Sequence, residues 1–146
     1  MKPNQPIVTA IALAVVALVS GCMSADSRLI GHWRSNRPLS IATFPHRRQL
    51  TPDKRAFFDD LFGKLTLAYT RRYIHTQLPP RSTEPPFRRR IPYRVLASDS
   101  ESVTIALEDR SADPDSTKKI HFVGPNRYWI PLGSKGGREY FDRFSQ

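Results

Sequence analysis

The chain has 146 residues, carries 23 Lys and Arg against 13 Asp and Glu for a formal net charge of +10, and contains one cysteine. That length supports a single apolar core and excludes a second, and a lone thiol excludes an internal disulfide. The fold therefore rests on its core alone, and the cation excess points to an anionic partner or surface.

The first segment reads as an export leader. Met1 to Pro6 is polar with one positive charge, and Ile7 to Val19 is apolar apart from Thr9. This run of thirteen residues suits the core of a signal peptide and is too short for a hydrocarbon layer of about 30 Å. It ends in Leu18-Val19-Ser20-Gly21-Cys22, which resembles the lipobox of bacterial lipoproteins: an aliphatic residue, two small residues, then the acceptor cysteine. The resemblance implies that residues 1–21 are a cleaved signal peptide and that Cys22 forms a thioether with a diacylglycerol. A third chain, palmitate in type, is added to the freed amino group. A single acyl chain holds a protein only marginally, whereas two or more anchor it stably. Met23 stands where an Asp is associated with inner-membrane retention, so the expected address is the outer membrane of a Gram-negative envelope, with the protein facing the periplasm. That address removes nucleic acid from the partners a basic chain otherwise suggests. It leaves anionic lipid, lipopolysaccharide phosphates, peptidoglycan carboxylates or an envelope protein. No cofactor is expected.

Beyond a lipidated tether at 22–28, residues 29–146 are expected to form one small β-rich domain. Leu29 to Arg34 and Leu39 to Phe44, joined by Ser35-Asn36-Arg37-Pro38, look like a first hairpin. A helix is predicted at about 52–62. Thr51 is placed to cap it, Pro52 suits its first turn, and Asp53 favours the positive end of the dipole. Phe57, Phe58, Leu61 and Phe62 supply its apolar stripe and Gly63 stops it. The period then changes to two: Leu65, Leu67 and Tyr69 alternate with polar or small neighbours, and the strand continues toward Tyr73-Ile74-His75. Residues 78–90, with four prolines and Arg88-Arg89-Arg90, read as a loop.

Strands at Tyr93–Ala97, Val103–Leu107, Ile120–Val123 and Tyr128–Ile130 follow, separated by turn compositions. Glu139 to Phe144 suits a last strand or a short helix. The expected class is mainly β (β-rich α+β): a small antiparallel barrel or curved sheet covered by one helix. Gly31-His32-Trp33 resembles the Gly-x-Trp signature of lipocalin-like barrels. That resemblance implies Trp33 plugging the barrel floor with a C-terminal arginine, Arg138 or Arg143, packed across its ring. The helix placed between the second and third strands departs from that family.

The cations are unevenly spread. From Arg28 to Arg94 there are 15 basic and 4 acidic residues, and from Val95 onward 7 basic and 8 acidic. The expected binding residues are accordingly Arg71, Arg72, Phe87, Arg88, Arg89 and Arg90, an aromatic among arginines in a segment where burial is not expected. The four histidines are scattered without metal-ligand spacing. The acid pairs Asp59-Asp60, Glu108-Asp109 and Asp113/Asp115 show no preferred dyad. Gly133-Ser134-Lys135-Gly136-Gly137 matches neither the nucleophile elbow nor the P-loop. The expected function is non-enzymatic: a lipid-anchored envelope lipoprotein whose small barrel binds an amphiphilic or anionic ligand, or else a structural subunit of an envelope complex. A cell-wall-acting enzyme is the remote alternative.

Overall fold

The computed structural model describes residues 25–80, 85–108, 116–133 and 136–145; the leader and Cys22 lie outside them. Eight antiparallel strands close into a barrel in simple sequence order: β1 (Gly31–Ser35), β2 (Thr66–Tyr69), β3 (Tyr73–Leu78), β4 (Phe87–Ser98), β5 (Ser102–Leu107), β6 (Thr117–Phe122), β7 (Arg127–Leu132) and β8 (Gly137–Phe144). β8 pairs with β1, Trp33 opposite Arg143, so no edge is left open. Residues of alternating position face inward. Trp33, Leu67, Tyr69, Ile74, Tyr93, Val103, Ile105, Ile120, Tyr128 and Phe141 form one buried cluster, the outcome expected of period-two patterning.

The excursion between β1 and β2 holds two helices, α1 (Arg37–Ala42) and α2 (Pro52–Leu61), with a short 3-10 turn at Arg47–Gln49. Leu39 to Phe44 is thus mostly helix and not the second strand of a hairpin. Asn36 Oδ1 accepts from the Leu39 amide at 3.0 Å, and Pro38 sits in the first turn where its missing N–H costs nothing. What reads as turn chemistry is therefore a helix start. The helical excursion precedes the second strand, not the third. Two further expectations change. The strand after Gly63 does not run on to His75: it reverses at Thr70–Arg72 into β3. The loop expected at 78–90 is shorter, because Phe87 to Arg90 already belong to β4, paired with Leu78 to His75 of β3. The prolines bound that pairing at 79–80 and 85–86 and do not interrupt it.

Strand directions give the barrel two distinct ends. The floor is closed by the segment before β1. Leu29 is fully buried, and Trp33, also fully buried, donates from Nε1 to the Leu29 carbonyl at 2.8 Å. The Arg143 guanidinium lies 4.4 Å from the Trp33 ring centroid and donates to the carbonyls of Ile30 and Arg28, both at 2.7 Å. Gly31 has φ +130°, and a Cβ there would stand 2.7 Å from Arg143 Nη1, so glycine is required for the arginine to pass. Of the two arginines expected near Trp33, Arg143 covers it, and Arg138 lies 4.2 Å over Trp129 on the outside. Asp26 and Arg28 tie the same segment to the β4–β5 turn: Ser98 Oγ donates to Asp26 at 2.6 Å and Arg28 Nη2 donates to the Asp99 carbonyl at 2.7 Å. The Arg28 guanidinium holds the Asp26 carboxyl down to about 2, so this tie is fully present above the ordinary 3.8 and is lost as pH falls toward 2.

Arg143→Ala removes a cation over an aromatic face and two charged hydrogen bonds at the floor. Urea unfolding should show a loss of about 2–4 kcal/mol. Arg143→Lys should recover less than half of it, because an ammonium cannot stack and fork at once.

Candidate functional site

The other end of the barrel, the mouth, is where the chain places unsatisfied volume. β3–β4, β5–β6 and β7–β8 connect there, and the helical excursion leaves and returns there. A cavity of about 200 Å³ is lined by Leu65, Leu67, Tyr69, Ile74, Ile91, Ile105, Leu107, Ile120, Ile130 and Phe141, with Thr76 and Lys118 as its polar residues. Its lining is apolar because most inward positions of β2 to β7 at this level are aliphatic. It reaches the surface at Lys118, whose partner across the β5–β6 ladder is Ile105. Below it the aromatic layer is filled: Trp33 and Tyr128 rings lie 4.6 Å apart, and Tyr128 stacks on Phe141 at 5.1 Å. The Tyr69 and Tyr128 hydroxyls face each other at 3.4 Å, and burial pushes Tyr69 up to about 12. Both phenols are therefore neutral, uncharged packing.

A second cavity, of about 410 Å³, lies between the helical excursion and the β7–β8 end, lined by Phe44, Phe58, Leu61, Phe62, Leu132, Gly133 and Glu139. It exists because α2 is seated loosely: none of its ten residues is fully buried, and Phe57 of the expected stripe is 52% exposed. Phe62, just beyond the helix, is buried. Glu139 is an inward residue of β8, only 9% exposed. Its Oε1 accepts from Ser35 Oγ at 2.8 Å, and Ser35 Oγ accepts from the Gly63 amide at 3.0 Å. Burial pushes the Glu139 carboxyl above its ordinary 4.5, partly offset by the Ser35 bond.

The residues expected to bind do not form one face. Arg71 and Arg72 are exposed in the β2–β3 turn at the floor end. Phe87 and Arg88 are exposed at the mouth end of β4, and Arg89 and Arg90, also exposed, run from there back toward the β2–β3 turn. Register divides this run again: Arg88 and Arg90 share the outer face, Phe87 and Arg89 the inner-facing positions with Ile91. Arg90 lies 4.6 Å over the Tyr73 ring. On the outside, pairing aligns Arg34, Thr66, Gln77 and Arg88 across β1 to β4. These four, with Lys64 and with Pro79, Pro80 and Pro86 of the β3–β4 connection, line a shallow groove of about 440 Å³. Cys22, Asp109, Asp113, Asp115 and Ser134 fall outside the described residues. Asp59 pairs with Arg47 and Asp60 with Lys64. Among the described residues no three His, Cys, Asp or Glu side chains converge as metal ligands.

Glu139, Ser35 and Lys118 were not singled out from sequence. Glu139-x-Phe141-x-Arg143 carries the signal for the first, since a strand with Phe141 inward also turns Glu139 inward. His121 stacked on Trp129 at 4.0 Å and 7°, with Arg138 over the same indole, gives no comparable signal, because strand pairing alone unites them. No family model, curated protein or solved structure matches this chain.

The raised Glu139 carboxyl has a sign that can be read directly. Its charged form is disfavoured in the fold, so its burden is full above the raised value and is relieved as pH falls toward 4.5. Glu139→Gln keeps the shape and an acceptor for Ser35. It should be more stable than the native chain at pH 7.5, and that advantage should shrink as thermal unfolding is repeated down to pH 4.

Proposed function

We propose that this chain is a non-enzymatic envelope lipoprotein, anchored through acyl chains on Cys22, whose barrel takes the apolar part of an anionic amphiphile into its mouth. The observation that carries the reading is the mouth cavity. It is largely aliphatic, about 200 Å³ in volume, and edged by the single cation Lys118. An engineered aliphatic cavity of about 150 Å³ stays dry and accepts benzene, so this one suits a ring or a short stretch of acyl chain. Lys118 supplies the charge for an anionic head at the rim.

The anchor gives the barrel a direction. Three residues separate Cys22 from Asp26, a reach of at most about 14 Å over the four Cα–Cα steps, and Asp26 is held at the floor. Lipid at Cys22 therefore draws the floor toward the membrane and turns the mouth away from it. Arg71 and Arg72 then lie on the membrane side, where a cation near an anionic surface contributes about 1 kcal/mol. The ligand arrives from the periplasmic side.

A second reading, a structural subunit of an envelope complex, is favoured by one observation: Phe87 is 46% exposed beside Arg88 to Arg90 near the mouth. Native mass spectrometry of the full-length chain taken from envelope membranes separates the two. A bound amphiphile, lost in Leu107→Trp and weakened about tenfold in Lys118→Glu, supports the first. A stoichiometric protein partner, lost when Phe87 and Arg88 to Arg90 are replaced, supports the second and overturns the first. Cys22→Ser should abolish acyl labelling and processing of the leader, and persistence of either would refute the anchor.

A further inference from the structure

From the geometry around Glu139 we infer a second binding site, separate from the mouth cavity, for a small apolar ligand whose head donates a hydrogen bond, an amine or a hydroxyl. The cavity of about 410 Å³ is walled by Phe44, Phe58, Leu61, Phe62 and Leu132, and Glu139 is its acidic residue. Burial of an acid normally comes with a counter-cation or a full set of donors. Glu139 has one donor, Ser35, on Oε1, and no ion pair joins it to any described Lys, Arg or His. In a chain of net charge +10 a buried acid without a cation is unexpected, because partners are plentiful.

The direction of the existing bonds says what is missing. Ser35 Oγ receives the Gly63 N–H, so its own proton is directed to Glu139 Oε1. Oε1 is thereby occupied by a donor, and Oε2 is the oxygen left to accept. The apolar wall supplies burial for a ring-sized body, and Oε2 supplies the polar contact. An anionic head is rejected here by the carboxylate, the reverse of the preference at Lys118. The two cavities thus adjoin one mouth with opposite selectivity. The site is also linked to the fold above it, since the Gly63 amide follows directly on α2 and its cap.

Three water-soluble probes of similar size test this: benzylamine, benzyl alcohol and benzoate. Each is titrated into the full-length chain in lipid nanodiscs, with empty nanodiscs as reference, and methyl resonances of Leu61 and Leu132 are followed by NMR. Benzylamine and benzyl alcohol should bind saturably and shift both methyls, with benzoate at least about tenfold weaker. In Glu139→Gln, benzylamine should weaken about tenfold or more while benzyl alcohol, which still finds an acceptor, changes less than about threefold. Benzoate binding as tightly as benzylamine, no saturable shift with either donor probe, or benzylamine indifferent to Glu139→Gln would each overturn the site. If that variant fails to fold, the comparison of the three probes on the native chain decides alone. Failure here leaves the Lys118 cavity untouched, since that one is read out by an anionic amphiphile at different residues.

Discussion

The barrel depends on the way Arg143 closes its floor. A sheet rolled into a barrel satisfies its own ladder, but the chain entering β1 has carbonyls with no strand beside them. Arg143 gathers two of these, from Arg28 and Ile30, while its guanidinium plane covers the Trp33 ring. One side chain thereby satisfies orphan acceptors, packs on the largest buried aromatic and joins the last strand to the first. The requirement at Gly31 follows, because any side chain there would collide with the guanidinium. With the floor sealed and the aromatic layer above it filled, the remaining free volume is forced to the other end.

The mouth is organised by a different device. The helical excursion is fastened unevenly. α1 is tied to β8: Ser40 Oγ donates to the Asn36 carbonyl at 2.7 Å and accepts the Tyr140 amide at 3.0 Å. Asn36 Nδ2 also reaches Asp142 at 2.6 Å. α2 has less to hold it to the barrel: an apolar stripe only partly buried and the chain Gly63, Ser35, Glu139 just beyond its end, while the Phe58–Phe44 ring contact of 5.3 Å and the Asp59–Arg47 pair join it to the rest of the excursion. Low local burial is what allows a segment to open at less than the global unfolding free energy. Of the two helices, α2 is therefore the one with less to lose by moving.

The class of the fold was legible in the sequence because alternation survives in β2 and β5, where large apolar residues trade places with small or polar ones. The Gly31-His32-Trp33 triplet also pointed to its structural place, since its aromatic and its glycine answer one requirement. The errors came from signals that two structures share. Asn36-Arg37-Pro38 is as good a turn as a helix start, and Leu39 and Ile41 alternate as a strand would. Only the packing of Ser40 under β8 decides between them. Pro79, Pro80, Pro85 and Pro86 suggested a longer loop, yet proline removes only its own N–H donor, and Arg88 to Arg90 pair normally with β3. The cavities were not legible at all. They arise from which inward residues meet across the barrel, and strand order and register carry that information.

A consequence for charge follows from the same register. Net charge describes a surface, and here it suggested one basic face with one anionic partner. Folding places Arg71 and Arg72 in the β2–β3 turn and Arg88 toward the mouth, with Arg90 between them over Tyr73, and turns neighbours in β4 to opposite sides. It places Lys118 at the edge of one cavity and Glu139 inside the next. On the proposed reading, recognition at the mouth rests on the sign of single charges, Lys118 at an exposed rim and Glu139 in apolar surroundings where screening is weak. Charges as exposed as most of the arginines here act in general at longer range, on the rate of approach and on its dependence on salt. A chain with a strong positive excess can for this reason contain a site that prefers a donor, provided that burial isolates one carboxylate from the cations around it.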